Sequence, residues 1–147
     1  MLTNVKYSQS ERSYKVTDPK TGEIAEFPCG TDGRRKAFRL GVWLHEPALH
    51  DMADKISNEY PMLEARAWQA VTMIVEGKVK PLTGQGLIAK VEGSSEYGDY
   101  NIIVYGDELA CDCIDFTGMT APYLANGQRY CKHILAVLFA RELTNDE

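Results

Sequence analysis

Hydrophobic and polar residues alternate with a period of two near the start of the chain. Residues 13–17 and 24–27 alternate in this way, and residues 18–23 between them include a proline and a glycine. Such alternation is typical of strands, and proline with glycine favours a turn. The pattern therefore predicts a β-hairpin, ended by Pro28, behind a polar and flexible N-terminus over residues 1–10.

The next part of the chain has the period of helices. Thr31 or Asp32 can cap a first predicted helix, which covers residues 34–45 with a broad apolar face. Apolar residues spaced i, i+3, i+4 and i+7 predict a second helix over 47–57. A third predicted helix begins at Pro61 and ends before a glycine at position 77.

Short β-type runs dominate the remainder of the chain. The predicted strands are residues 87–91, 100–105 and 109–113. Glycine-containing turns separate the runs at residues 84–86, 93–98 and 106–107. An apolar run over 134–140 predicts a C-terminal helix. The predicted fold is therefore α+β: an N-terminal β-hairpin plus about three helices, then a small antiparallel sheet and a C-terminal helix.

Three of the four cysteines and one of the three histidines form two closely spaced pairs, Cys111 with Cys113 and Cys131 with His133. Thiolates and imidazole are ligands that zinc prefers, and four of them make a closed tetrahedron. Residues i and i+2 of a strand share a face, so the first pair can reach one ion. On a helix the same spacing separates side chains by about 200°. Cys131 is therefore predicted at or just before the start of the C-terminal helix, and one structural Zn²⁺ is expected.

This C-x-C…C-x-H pattern resembles the SWIM zinc finger. The similarity covers roughly residues 87–143 and includes the flanking Asp115 and Phe116. The resemblance implies binding to DNA or to protein, because the family occurs in chromatin-remodelling ATPases, Mutator-type transposases and small subunits of recombination-mediator complexes. We accordingly divide the chain into a flexible N-terminus (1–10), a hairpin plus helical lobe (11–80) and a SWIM-type zinc finger module (81–147).

Charge restricts how the chain can bind nucleic acid. The net charge is −5, which disfavours a protein that coats nucleic acid by charge alone. Four cations nevertheless cluster at the start of the first predicted helix: Arg34, Arg35, Lys36 and Arg39. They are either a phosphate-contact patch or a solvated helix face. Arg129 and Lys132 offer a second, thinner set near the metal ligands, and Cys29 is interpreted as a loop cysteine outside the ligand set.

The sequence favours a binding protein over an enzyme. Four good ligands leave a zinc ion no open position for water, and the H-x-E and C-x-x-C signature of zinc deaminases is missing. We expect a non-catalytic zinc-binding protein that binds DNA in a recombination, transposition or phage/mobile-element system. The alternative is an adaptor subunit of a larger nucleic-acid-processing complex. No membrane partner or small-molecule substrate is expected, and free thiols fit a reducing, cytoplasmic compartment.

Overall fold

The computed structural model of the chain describes residues 2–82, 86–93 and 98–145. Its contacts separate two compact units, Met1–Met52 and Ala53–Glu147. The first unit contains a three-stranded sheet with a helix, and the second contains a four-stranded antiparallel sheet and a C-terminal helix. This is the predicted α+β fold class. The predicted module border between residues 80 and 81 lies within the second unit and stays a prediction.

The sheet of the first unit is antiparallel. Its strands, in spatial order, are β1 (Val5–Ser8), β2 (Ser13–Thr17) and β3 (Ile24–Pro28). Strands β2 and β3 are the predicted hairpin. The Asp18 N–H donates to the Glu23 carbonyl oxygen at 2.8 Å, and Gly22 adopts a φ of 77° that suits glycine best. The turn predicted over residues 18–23 is therefore present in the structure.

Strand β1 lies in the segment that the sequence analysis assigned to a flexible N-terminus. Val5 pairs with Val16 of β2, and Tyr7 pairs with Tyr14, with 4.9 Å between the two ring centroids. Val5 and Tyr7, each between polar neighbours, carry too weak a period to predict a strand. Cross-strand pairing with β2 supplies the missing stabilisation.

Helices α1 (Thr31–His45) and α2 (Pro47–Glu59) follow the hairpin. The predicted cap of α1 is wrong, because Gly30 occupies the N-cap position and no side chain caps the helix. The Asp32 carboxylate instead accepts hydrogen bonds from Arg35 and Lys36. Gly41 of α1 lies so close to Val5 that an added Cβ would clash with the Val5 side chain.

The second unit contains the remaining elements. A 3₁₀ turn (Pro61–Leu63) leads into α3 (Glu64–Val75), as the sequence predicts for a helix opened by proline. The sheet has the order β4 (Val79–Pro81), β5 (Leu87–Val91), β6 (Tyr100–Tyr105) and β7 (Glu108–Cys111). Two helices complete the unit, α4 (Ile114–Thr117) and α5 (Lys132–Asn145). Strand β4 was not predicted, since three residues carry no measurable period. The predicted turns at 84–86 and 93–98 lie partly outside the described residues.

One face of this sheet packs into the core of the second unit. Val91, Ile102 and Ile134 are fully buried in that core, together with the three clustered cysteines. Burial of these apolar side chains joins β5 and β6 to α5 and positions both halves of the cysteine–histidine pattern. Among the described residues, no helix has the length and apolar character needed to cross a membrane.

Candidate metal centre

The first ligand pair lies where β7 ends and α4 begins. Cys111 is the last residue of β7 and pairs with Ile102 of β6. Cys113 lies beyond the strand, at the N-cap of α4, whereas the sequence analysis extended the strand through it. Its backbone is still extended, with φ −73° and ψ 157°. The two buried thiols can therefore share one side of the chain, which was the basis of the prediction.

The second pair lies at the start of α5. Cys131 immediately precedes the helix, as predicted, and His133 is the second residue of the helix. The Cys131 carbonyl oxygen accepts from the Leu135 N–H at 3.1 Å, which is the first helical bond of α5. The Ile134 N–H is 3.5 Å from Cys131 Sγ. These two contacts with the first turn of α5 therefore restrict the orientation of the Cys131 side chain.

The two pairs meet in one buried cluster. One ligand atom from each of Cys111, Cys113, Cys131 and His133 lies within 4.8 Å of all the others, and Cys111 Sγ is 3.7 Å from His133 Nδ1. Zn–S bonds of about 2.3 Å place tetrahedral ligand atoms about 3.8 Å apart. A small contraction of the cluster would give that geometry. Three thiols and one imidazole are also a donor set that structural zinc prefers, so the residues fit the ion.

The thiols strongly influence one another's protonation. Hydrogen bonds from Cys111 and then Cys131 hold the pKa of Cys113 far below its usual range. The hydrogen bond that Cys111 donates to Cys113 raises the pKa of Cys111 well above its usual range, and burial adds to this rise. The pKa of each of these two thiols therefore depends on the other thiols of the cluster. Zinc needs deprotonated ligands, so binding would release the remaining thiol protons.

An aromatic ring orients the histidine. The Tyr100 ring stacks on the His133 imidazole, with 4.2 Å between centroids and 28° between planes. Packing on one face restricts rotation of the imidazole and keeps Nδ1 directed towards the thiols. Sequence analysis missed Tyr100 as part of the site. It begins β6, 33 positions before His133, so only the folded sheet brings the two rings together.

An ion pair holds the helix that follows the first ligand pair. Arg66 of α3 donates from Nε and Nη2 to the two carboxylate oxygens of Asp115 in α4, each at 2.9 Å. Thr120 Oγ1 donates to the same carboxylate at 2.8 Å. The hydrogen bonds from Arg66 lower the pKa of Asp115. This fork-shaped pair fixes α4 directly beyond Cys113.

A glutamine side chain holds the loop before the second pair. The Leu109 N–H donates to Gln128 Oε1, and Gln128 Nε2 donates to the Leu109 carbonyl oxygen, both at 2.8 Å. The Gln128 amide thus bonds to the edge strand β7 as a neighbouring strand would. The contact keeps the loop that leads to Cys131 beside the strand that carries Cys111.

The residues considered for nucleic-acid contact differ in their surroundings. Arg129 Nη1 donates to the carbonyl oxygens of Met119 at 3.0 Å and Ala121 at 2.6 Å, and its guanidinium lies 5.5 Å from the Tyr123 ring centroid. Lys132 is half-buried between two candidate ligands. Arg129 is therefore bonded to the loop backbone and Lys132 is partly covered, and neither feature was predicted from the sequence.

The cations of α1 lie in the first unit. Arg34, Arg35 and Lys36 are exposed, whereas Arg39 is half-buried. Asp32 forms exposed ion pairs with Arg35 at 2.8 Å and with Lys36 at 3.0 Å. Three of the four predicted cations therefore lie on one solvent-accessible part of the helix.

Comparison with known proteins assigns the metal centre to a family. Residues 100–142 match the family model of the SWIM zinc finger, a segment that contains all four clustered residues. No curated protein and no solved structure gives a significant match to the chain. The match begins at β6, later than the resemblance estimated from the sequence. Residues 100–142 therefore match a SWIM zinc finger, and the four-residue Cys/His cluster in this segment supports one structural zinc ion.

Proposed function

We propose that this chain is a non-catalytic zinc-binding protein that binds nucleic acid, with DNA as its expected ligand, in a reducing, cytoplasmic compartment. The observation that carries the proposal is the group of exposed cations on α1, Arg34, Arg35 and Lys36. A recombination, transposition or mobile-element system is the context that the family resemblance suggests.

The zinc ion has a structural role in this proposal. Cys111, Cys113, Cys131 and His133 coordinate it and close its tetrahedron, so no position stays open for a reacting water. The ion links the end of β7 to the start of α5 within a small unit, where metal coordination adds to the stability that apolar burial provides. The proposal therefore assigns binding, and no chemistry, to the finger.

The distribution of charge supports α1 as the phosphate-contacting element. Residues 1–52 carry eight basic and seven acidic side chains, whereas residues 53–147 carry eight and fourteen. Within residues 100–142 there are three basic and five acidic side chains, and three zinc-bound thiolates would add a net site charge of about −1. The finger would therefore repel phosphates. Arg129 and Lys132 remain secondary candidates for phosphate contact, since Arg129 bonds to backbone carbonyls and Lys132 is half-buried.

The exposed ion pairs of Asp32 do not prevent phosphate binding. Such pairs contribute little to stability, because water screens both charges. A phosphate that approaches α1 can replace the Asp32 carboxylate as the acceptor for Arg35 and Lys36. Contacts of this kind would be tolerant of sequence, because phosphates carry no base information.

A salt-dependence measurement tests the proposal. We expect duplex DNA to bind the zinc-loaded protein at low salt, with an affinity that falls steeply as salt increases. The triple variant Arg34→Gln/Arg35→Gln/Lys36→Gln should weaken binding and reduce the log–log salt slope by roughly 0.9 per lost contact. Fluorescence anisotropy with labelled DNA measures both quantities. Arg39 stays unchanged in this variant because it is half-buried.

A second triple variant is the matched control. Lys6→Gln/Lys15→Gln/Lys20→Gln removes the same charge from the hairpin region of the same unit. If both triple variants weaken binding equally, net charge and not α1 determines affinity. Wild-type protein that binds neither DNA nor RNA at low salt would contradict the proposal itself.

A second candidate function, a protein-interaction adaptor, is favoured by apolar side chains exposed on the finger. Tyr105, Ile114 and Met119 are 76%, 86% and 74% exposed. Exposed apolar side chains can contribute to a protein-binding surface. A nuclease-treated pull-down with wild type and with Ile114→Ser/Met119→Ser tests this function. The adaptor hypothesis requires a specific partner that the wild type retains and the double variant loses.

A further inference from the structure

The outer face of α1 carries an exposed tryptophan beside its cations. At 3.6 residues per turn, Arg35, Lys36 and Trp43 lie within an arc of about 100°, with Trp43 about two turns beyond the two cations. The buried Ala37 and Gly41 lie on the opposite side, and the buried Val42 borders the arc next to Arg35. Trp43 is 45% exposed although tryptophan is usually well buried. Neither the zinc centre nor phosphate contact explains an exposed indole at this position.

The indole is held in place from one side. The His50 ring of α2 lies 5.1 Å from the Trp43 ring, centroid to centroid, at an interplanar angle of 71°. This T-shaped contact is a favourable aromatic geometry that restricts the ring. A restricted ring loses little entropy when it stacks on a ligand, so Trp43 is suited to be a stacking platform.

A flat aromatic ring beside cations matches the chemistry of single-stranded nucleic acid. Bases in a duplex stack on one another, whereas an unpaired base can place its π-face on an aromatic side chain. We infer that the outer face of α1 binds single-stranded nucleic acid, with Trp43 stacking on a base and Arg35 and Lys36 contacting the phosphates. This inference rests on the proposed nucleic-acid-binding function and specifies its ligand.

Fluorescence provides a direct test, because the chain has two tryptophans, Trp43 and Trp68. In the variant Trp68→Phe all indole emission comes from Trp43. Titration with oligothymidylate of about 16 nucleotides should quench this emission saturably, as stacking of bases on indole does. In the reciprocal variant Trp43→Phe, emission from the half-buried Trp68 should not respond.

Affinity measurements separate stacking from charge. Trp43→Ala should weaken oligothymidylate and oligouridylate binding by about 5- to 150-fold, the range for loss of one base-stacking aromatic. Duplex affinity should not change, and Trp43→Phe should retain most of the single-strand affinity. Tyr105→Ala is the matched control, because it removes a more exposed aromatic from the finger. Thermal melting checks that each variant is folded. If Trp43→Ala does not fold, the quenching of Trp43 emission in Trp68→Phe and the absence of a response in Trp43→Phe test whether Trp43 stacks on a base.

The outcomes distinguish the inference from the proposed function. If the cation triple variant weakens binding but Trp43 emission and the Trp43 variants are unaffected, the inference is wrong and the nucleic-acid function stands. If duplex binds as tightly as single strand and Trp43→Ala weakens both equally, stacking on an unpaired base is excluded. If the wild type binds no nucleic acid, both the inference and the proposed function are wrong.

Discussion

Asp32 bonds to two of the exposed cations of α1 and competes with any phosphate for them. Hydrogen bonds from Lys36, and then from Arg35, lower the pKa of its carboxyl group. Because Asp32→Asn removes the competing charge, we expect it to raise DNA affinity by up to about fivefold at low salt. Asp18→Asn in the hairpin turn removes the same charge away from α1 and is the control. Unchanged or weaker binding by Asp32→Asn would argue against phosphate contacts at Arg35 and Lys36.

The two classes of cysteine should respond differently to substitution. Cys131 is completely buried in the cluster, and Cys29 is exposed. Cys131→Ala should abolish stoichiometric zinc binding and destabilise the second unit severely, because finger zinc contributes on the order of 10 kcal/mol of apparent binding free energy. Cys29→Ala should change stability by less than about 1 kcal/mol. Metal analysis and thermal melting test this, and equal melting shifts would contradict the ligand assignment.

At the scale of elements, the Arg66–Asp115 pair connects α3 to α4. Both side chains are about one-quarter exposed, at 25% and 27%, and they meet through two parallel hydrogen bonds. A double-mutant cycle with Arg66→Gln and Asp115→Asn should give a coupling free energy of about 1–2 kcal/mol in zinc-loaded protein. Urea unfolding measures it.

The same unit offers a contrasting ion pair for this cycle. Lys80 and Glu92 are 3.9 Å apart, with side chains 55% and 50% exposed. A cycle with Lys80→Gln and Glu92→Gln should give a coupling below about 0.5 kcal/mol, since the pair is solvated. Equal coupling in the two cycles would remove the special role of the Arg66–Asp115 pair beside the metal centre.

The contact between Gln128 and β7 is a second link between elements. Gln128→Ala leaves the Leu109 N–H and carbonyl without their amide partner, and we expect a loss of about 1–3 kcal/mol in stability. Gln128→Glu can still accept from the Leu109 N–H but cannot donate to its carbonyl, so its effect should be intermediate. Hydrogen exchange at the Leu109 amide reports the change. An unaltered exchange rate in Gln128→Ala would show that the contact contributes nothing.

At the scale of the whole molecule, zinc removal should affect the second unit selectively. We expect about one zinc per purified chain. After chelation, amides of α5 should lose hydrogen-exchange protection, because Cys131 and His133 lose the ion that joins them to β7. Amides of β2 should keep theirs, since all four clustered residues lie in the second unit. Equal loss of protection in β2 and α5 would contradict this prediction.

The sequence by itself determined the features that neighbouring residues encode. The C-x-C and C-x-H spacings identified the four clustered residues, and the C-x-H spacing placed Cys131 at or just before the start of α5. The Pro and Gly of the hairpin turn predicted β2 and β3. Turns and helix starts depend on a few neighbouring residues, so they can be predicted from the sequence alone.

Tertiary structure alone decided the features that depend on distant partners. Strand β1 exists because Val5 and Tyr7 pair with β2, and Tyr100 orients His133 because β6 and α5 share one core. Arg129 resembled a surface cation in the sequence, but its guanidinium bonds to backbone carbonyls in a loop. Which residues pair across the fold depends on packing and register, because apolar burial is non-directional. A local pattern shows which face of an element is buried but not which partner covers it.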